Sequence, residues 1–142
     1  MDRDEMLARE QTAWDGFVAA VEALPAERRD VEGVVPGWSA KDLAWHNGYW
    51  AGYVADVLEA IIATGTGLPD QDWDAMNEQV IVDGRSMSWV EIWSRSEENR
   101  RRARTALAAL PDVTDVAAEE FTGETYEHYE EHTAEVVAFA AA

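Results

Sequence analysis

The sequence predicts an all-α protein in which residues 1–142 form one four-helix bundle domain. Three observations support this fold class. Apolar residues recur at helical spacing in four long segments, stretches with Pro or Gly separate these segments, and the alternation typical of strands is missing. Four long helices with short connections are typical of a bundle. A hydrophobic fraction of 47%, with seven Trp, is enough for one core.

The first helix is expected from about residue 2 to Leu24, because apolar residues recur there at helical spacing and Pro25 ends the pattern. Residues 25–37 mix charged residues with Gly and Pro, so we expect a loop. The second helix begins after Ser39, which has the character of an N-cap followed by an acidic first turn. It extends to about Ala63, before a run of Gly, Thr and Pro.

The second half of the chain contains a short helix and two long ones. Residues 70–82 predict a helix of one to three turns, ended by a turn at Asp83-Gly84. The third long helix begins at Ser88, which forms a capping-box pattern with Glu91, and it ends at about Leu110. We expect an acidic loop over residues 111–120 and the last long helix over about Phe121 to Ala140.

The composition excludes several classes of function. The chain has 29 Asp and Glu against 11 Lys and Arg, a formal net charge of −18. This charge repels phosphate backbones and anionic lipid surfaces, so we expect neither nucleic acid nor a membrane as partner. A solvated surface is the simplest interpretation of the acidic excess, and a role in binding cations is the alternative.

Sulfur chemistry would need an external thiol, because the chain has no cysteine. The absence also excludes disulfides, thiolate metal ligands and a cysteine nucleophile. The charged N-terminus leads into no apolar run suited to export or membrane spanning, so a cytoplasmic protein is expected.

The three histidines of the chain are the candidates for a metal site. His128 and His132 stand at i and i+4 in the last helix, a spacing that places two imidazoles on one face, with Cβ atoms roughly 6 Å apart. His46 lies on the apolar stripe of the second helix and could supply a third ligand. The alternative is three separate core histidines, each hydrogen-bonded to a carbonyl or carboxylate.

Two segments carry a resemblance to a known family. Pro36–Trp50, with Pro-Gly-Trp-Ser ahead of the helix that holds His46, and Thr125–His132 together resemble the DinB-like superfamily, which includes relatives of mycothiol-dependent maleylpyruvate isomerases and bacillithiol transferases. The resemblance implies a four-helix bundle with a long crossover connection. It also implies that His46, His128 and His132 bind a divalent ion.

Imidazole ligands suit zinc, nickel, iron or copper, and we expect zinc or nickel first. Further side chains would orient the rings through their free nitrogens. The candidates for this role are Glu124, Glu131, Glu135, Asn47, Ser96 and Asn99. For each glutamate, a solvated surface position is the alternative.

Aromatic and basic residues offer further candidates for a binding site. Five aromatic residues could form the wall of a pocket or simply belong to the core: Trp45, Trp50, Tyr53, Tyr126 and Tyr129. The basic cluster Arg100–Arg104 could hold an anionic ligand or could be the solvated end of a helix.

The leading functional hypothesis is a metalloenzyme whose three-histidine ion keeps an open position for a small-molecule substrate. By resemblance, the reaction would be transfer of a low-molecular-weight thiol co-substrate, or isomerisation through such an adduct. Metal-dependent hydrolysis of a reactive small molecule is one alternative. A non-catalytic bundle that binds a small ligand and keeps a structural metal is another. Because members of the family often pair, we also expect a homodimer.

Overall fold

The computed structural model describes residues 1–142 and confirms that the chain is all-helical. The six α-helices are α1 (Arg3–Ala23), α2 (Ala40–Thr64), α3 (Trp73–Arg85), α4 (Trp89–Ala109), α5 (Asp115–Glu124) and α6 (Tyr126–Ala141). A single 3-10 turn, Ala26–Arg28, lies in the loop after α1. None of the helices combines the length and apolar character that crossing a bilayer requires.

The long helices pack in two main pairs around one core. α2 packs most extensively against α4, and α1 packs against α6. The short helices fill the edges, since α3 packs on α2 while α5 contacts both α6 and α2. The largest fully buried apolar and aromatic side chains come from every helix except α3: Met6, Trp14, Phe17, Leu43, Leu58, Ile92, Leu107, Phe121 and Tyr129. α2 therefore lies at the centre, in contact with four other helices.

The close packing of α2 on α4 depends on small residues. A Cβ atom on Gly48 would lie 2.7 Å from Ser96 Cβ, and one on Gly52 would lie 2.7 Å from Asn99 Cγ. Asn99 Nδ2 also donates a hydrogen bond of 3.1 Å to the Gly48 carbonyl. Ser96 and Asn99, the two polar residues on the inward stripe of α4, therefore pack directly against the glycines of α2.

The helix starts predicted from capping residues agree with the structure. Ser39 Oγ accepts a hydrogen bond from the Asp42 backbone N–H, and an Asp42 carboxylate oxygen accepts one from the Ser39 N–H, at 3.1 and 2.9 Å. This is a full capping box. Ser88 caps α4 by accepting from the Glu91 N–H, without the reciprocal bond. The predicted bounds of the first three long helices lie within a few residues of those observed.

The predicted turn at Asp83-Gly84 is wrong, because α3 continues through both residues to Arg85. Gly84 is buried where α3 approaches α2, and a Cβ atom there would lie 2.5 Å from Trp45 Cδ1. The glycine therefore serves close helix packing, although Asp-Gly is locally typical of a turn.

The predictions of an acidic loop over residues 111–120 and of one continuous last helix are also wrong. α5 begins at Asp115, with the Thr114 hydroxyl capping it through the Ala117 N–H. The backbone breaks at Thr125, which has φ −114° and ψ −100°, and α6 follows at once. The Thr125 hydroxyl donates to the Phe121 carbonyl at 2.6 Å. Two helices, separated by Thr125, therefore occupy the segment where one continuous helix was expected.

Candidate metal centre

The three histidines converge from two helices. His46 projects from α2, and His128 and His132 project from adjacent turns of α6. One ring nitrogen of each lies within 4.8 Å of the others. His46 Nε2 and His128 Nε2 are 2.8 Å apart, and all three rings have centroids separated by 4.6 to 5.1 Å. The spacing that suggested a shared site on the last helix therefore does bring the rings together.

The hydrogen bond of His132 leaves a lone pair of this ring for an ion. His132 Nδ1 lies 3.0 Å from Glu135 Oε1. Because a carboxylate accepts, Nδ1 carries the proton and the lone pair is on Nε2. His132 Nε2 is buried and has no hydrogen-bond partner. Buried polar nitrogens normally have a partner, so the donor set fits a bound cation.

Burial keeps two of the imidazoles neutral. Removal from water, with smaller contributions from the neighbouring His128 and His132, lowers the pKa of His46 to about 2. Removal from water also lowers the pKa of His128 to about 3, with a smaller contribution from His132. Neutral imidazole is the form that binds metal, so both rings are ready for ligation at neutral pH.

The histidines line a cavity of about 620 Å³. This volume falls in the range of roughly 300–1,000 Å³ that is typical of small-molecule sites. One part of its wall is aromatic and consists of Trp38, Trp50, Tyr53 and Trp73. Trp50 is fixed by a 2.8 Å hydrogen bond from its indole N–H to Asn77 Oδ1. The imidazoles therefore face a space in which a small molecule can lie.

Another part of the wall is acidic. Glu120, Glu124 and Glu131 line the cavity, and no Lys or Arg does. Removal from water raises the pKa of Glu120 and of Glu124, and for Glu124 the charges of the other two carboxylates raise it further. Glu124 Oε2 is also 4.0 Å from His128 Nδ1. The carboxylates of α5 and α6 are thus close to one another and to the histidines.

The architecture is shared with a protein of known structure. A crystal structure of an uncharacterised protein from Escherichia coli UTI89 matches with a TM-score of 0.73 at 14% sequence identity. The match covers 98% of this chain and 92% of the other. At this identity, the similarity shows the fold alone. No protein-family model and no curated protein matches the chain.

Of the six side chains predicted to orient the imidazole rings, only some lie close to them. Glu135 contacts His132 directly, and Glu124 and Glu131 line the cavity. Asn47 is fully buried next to His46, but its amide has no hydrogen-bond partner. The other two candidates, Ser96 and Asn99, pack against the glycines of α2.

Sequence reasoning found only part of the cavity wall. Of the five aromatic candidates, Trp50 and Tyr53 line the cavity, whereas Trp45, Tyr126 and Tyr129 are buried outside it. The lining residues that were missed are Trp38, Trp73, Asn77, Glu120 and Gly123. For Trp73 and Asn77, the only local signal was their i, i+4 spacing, which places both side chains on one face of α3.

The basic cluster Arg100–Arg104 is already neutralised by acids of the chain. Arg100 and Arg104 both contact Glu10, at 2.7 and 2.9 Å. Arg101 pairs with Glu98, and Arg102 pairs with two carboxylates of α2. The geometry therefore favours structural ion pairs over a site for an anionic ligand.

Proposed function

We propose that this chain is a divalent-metal-dependent enzyme in which His46, His128 and His132 hold the ion and the adjoining cavity holds a small-molecule substrate. One observation supports this most strongly: three imidazoles converge at the wall of a cavity, and each ring has one buried nitrogen without a hydrogen-bond partner, which for His132 is Nε2. A catalytic zinc site uses three protein ligands and leaves a position open. Zinc or nickel fits the all-nitrogen donor set best, with iron or copper as alternatives.

A bound ion would lower the pKa of a water or thiol and stabilise the anion that results. Residues of the chain would orient the ligands, transfer a proton and contact the substrate. Glu135 fixes the tautomer and orientation of His132. Burial and the charges of Glu120 and Glu131 raise the pKa of Glu124, so this carboxyl group keeps a proton more readily than an exposed glutamate does and could transfer it to a substrate. The aromatic wall supplies apolar surface that a substrate can contact.

Transfer of a low-molecular-weight thiol, or isomerisation through a thiol adduct, is the proposed reaction. It is supported by the resemblance of Pro36–Trp50 and Thr125–His132 to the DinB-like superfamily. On the same resemblance, we propose that the bundle has the DinB-like fold. The lack of cysteine requires that the thiol be a co-substrate. Metal-dependent hydrolysis is the second candidate, favoured by the raised pKa values of Glu120 and Glu124, which suit a general acid or base.

Metal content and turnover test the proposal together. Tag-free protein should contain close to one divalent ion per chain by elemental analysis, and His128→Ala should lose most of it. The exposed neighbour Glu127 supplies a matched control, since Glu127→Ala leaves the donor set intact. Full metal retention by the alanine variants of all three histidines would contradict the site.

Activity distinguishes the reactions. Mycothiol, bacillithiol and glutathione would each be offered with a panel of model electrophiles, and conjugation should be saturable, metal-dependent and abolished by His128→Ala with unchanged circular dichroism. Metal-dependent loss of an electrophile without thiol would support hydrolysis. Stoichiometric metal with neither reaction would show that the metal is structural.

A further inference from the structure

The charge of the cavity wall is one-sided. Three glutamates line it, and none of the 11 Lys and Arg of the chain does. Elsewhere in the fold, many acids are paired: Glu10, Asp56, Glu59 and Glu130, for example, each contact an arginine. Glu120 is half-buried and forms no ion pair or hydrogen bond with a basic residue of the chain. A carboxylate in this environment is stabilised when a cation approaches it.

The aromatic side chains of the wall are of the types that attract an organic cation. The rings of Trp50, Tyr53 and Trp73 are mutually edge-to-face, with centroid distances of 5.2 to 5.8 Å. Glu120 also lies near Tyr53, since its charge contributes, after burial, to raising the pKa of the phenol. Faces of Trp and Tyr attract ammonium groups through the ring quadrupole, and such aromatic walls recognise alkylated ammonium ligands. A hydrated inorganic ion gains little from them.

We propose that the cavity selects a small molecule bearing an organic ammonium group, which Glu120 and Glu124 pair with while Trp50, Tyr53 and Trp73 contact its alkyl substituents. Because such a molecule is a substrate only if the cavity is an active site, this assignment rests on the proposed function. It also has a consequence for a thiol co-substrate. A thiol with several carboxylates is repelled by the same wall, whereas an uncharged thiol is not.

The acidic residues do not support this site alone. His132 is only 8% exposed, and its unpartnered Nε2 belongs to the histidine cluster that lines the same cavity. Besides the carboxylates, the wall therefore contains a buried polar atom that needs a ligand, and the proposed function assigns this atom to the ion beside which the organic cation would lie. The net charge of −18 adds a field that attracts cations to the molecule as a whole.

A pair of isosteric probes tests the charge preference. Choline and 3,3-dimethylbutan-1-ol have nearly the same shape and the same hydroxyl group, but only choline is charged. Titration calorimetry on the protein as purified should give a Kd for choline at least about tenfold lower than for the alcohol. Glu120→Gln should remove most of this preference, and Trp73→Leu should weaken choline binding.

Glu119→Gln is the matched control, because Glu119 is the exposed neighbour of Glu120 on α5 and does not line the cavity. It changes the net charge equally and should keep the preference. Equal affinities for the two probes, or equal effects of Glu119→Gln and Glu120→Gln, would overturn the proposal. Metal content, measured on the same samples, separates the proposed metal-dependent function from the proposed ammonium substrate. One ion per chain together with equal affinities for choline and the alcohol would refute only the ammonium substrate. Charge selection without any bound ion supports the ligand class and refutes the metal-dependent function.

Discussion

His46 Nε2 and His128 Nε2 face each other at 2.8 Å, although 82 positions separate the two residues in the chain. This is a hydrogen-bond distance, and the tautomers of the two rings decide which nitrogen donates. The low pKa values of both imidazoles keep a further proton from joining them near neutral pH. α2 and α6 therefore meet through two neutral rings whose lone pairs are suited to a metal.

The contact between Glu135 and His132 should tune metal affinity. Glu135→Gln replaces a carboxylate acceptor with a neutral amide, so His132 becomes a weaker and less fixed ligand. We expect metal affinity to fall about 10- to 100-fold. Competition with a chromophoric chelator measures this, with Glu127→Gln as the exposed control on the same helix. Equal affinities of the two variants would show that the Glu135 contact is incidental.

Acid should destabilise the metal-free protein through the buried imidazoles. The folded-state pKa values of His46 and His128 are about 2 and 3, below the ordinary value of 6.5. Between pH 6.5 and about 3 the unfolded chain binds protons that the folded chain does not, so the free energy of unfolding falls as the pH is lowered through this window. The raised pKa values of Glu120 and Glu124 act in the opposite direction.

Comparison with a variant isolates the histidine contribution to this pH dependence. His46→Gln removes one titrating imidazole, so its thermal midpoint in a chelator should fall less steeply between pH 6.5 and 4.5 than that of the unaltered chain. Parallel curves for the two proteins would contradict a strongly lowered pKa for His46.

The close approach of α2 to α4 should make Gly48 intolerant of a side chain. The Cβ atom of Gly48→Ala would fall on the Ser96 hydroxyl and lie 3.1 Å from Ser96 Cα, which belongs to the backbone. We expect a loss of about 1–3 kcal/mol in urea unfolding. Ser96→Gly should restore part of it. Gly16→Ala is the control, because nothing lies within 4 Å of its new methyl group and alanine favours the helix.

The buried ion pair between Glu10 and Arg100 should be costly to break. The two side chains are 1% and 3% exposed and form two hydrogen bonds of 2.7 and 2.8 Å. Arg100→Ala leaves a buried carboxylate without its main partner, and we expect it to destabilise the fold by about 3–5 kcal/mol. The exposed Arg101→Ala should change stability by about 0.5 kcal/mol or less. Similar urea midpoints for both variants would show that Arg104 alone satisfies Glu10.

Local patterns predicted most of the helices and the pairing of His128 with His132, whereas the addition of His46 to this pair came from the resemblance to a known family. The i, i+4 spacing of His128 and His132 places both rings on one helix face regardless of the rest of the fold, and Ser39 marks the start of α2 by its own chemistry. The Thr125 break was not predictable in this way. The apolar spacing continues across it, so periodicity alone cannot show that two helices meet there.

The other errors come from contacts between distant residues. Asp-Gly is typical of a turn, and only the approach of Trp45 explains why Gly84 stays helical. Trp73 and Glu120 reach the cavity because α3 and α5 pack on α2, a packing that neither short helix encodes in its own sequence. The histidines could therefore be predicted before the structure, whereas most of the surrounding wall could not.

The uneven distribution of tryptophan has an optical consequence. Three of the seven lie in the cavity wall: Trp38, Trp50 and Trp73. The other four, Trp14, Trp45, Trp89 and Trp93, do not line it. Indole emission depends on the polarity around the ring and on quenching groups nearby. A molecule that displaces water from this wall therefore changes the intrinsic fluorescence of the protein, which serves as an unlabelled reporter for ligand screening.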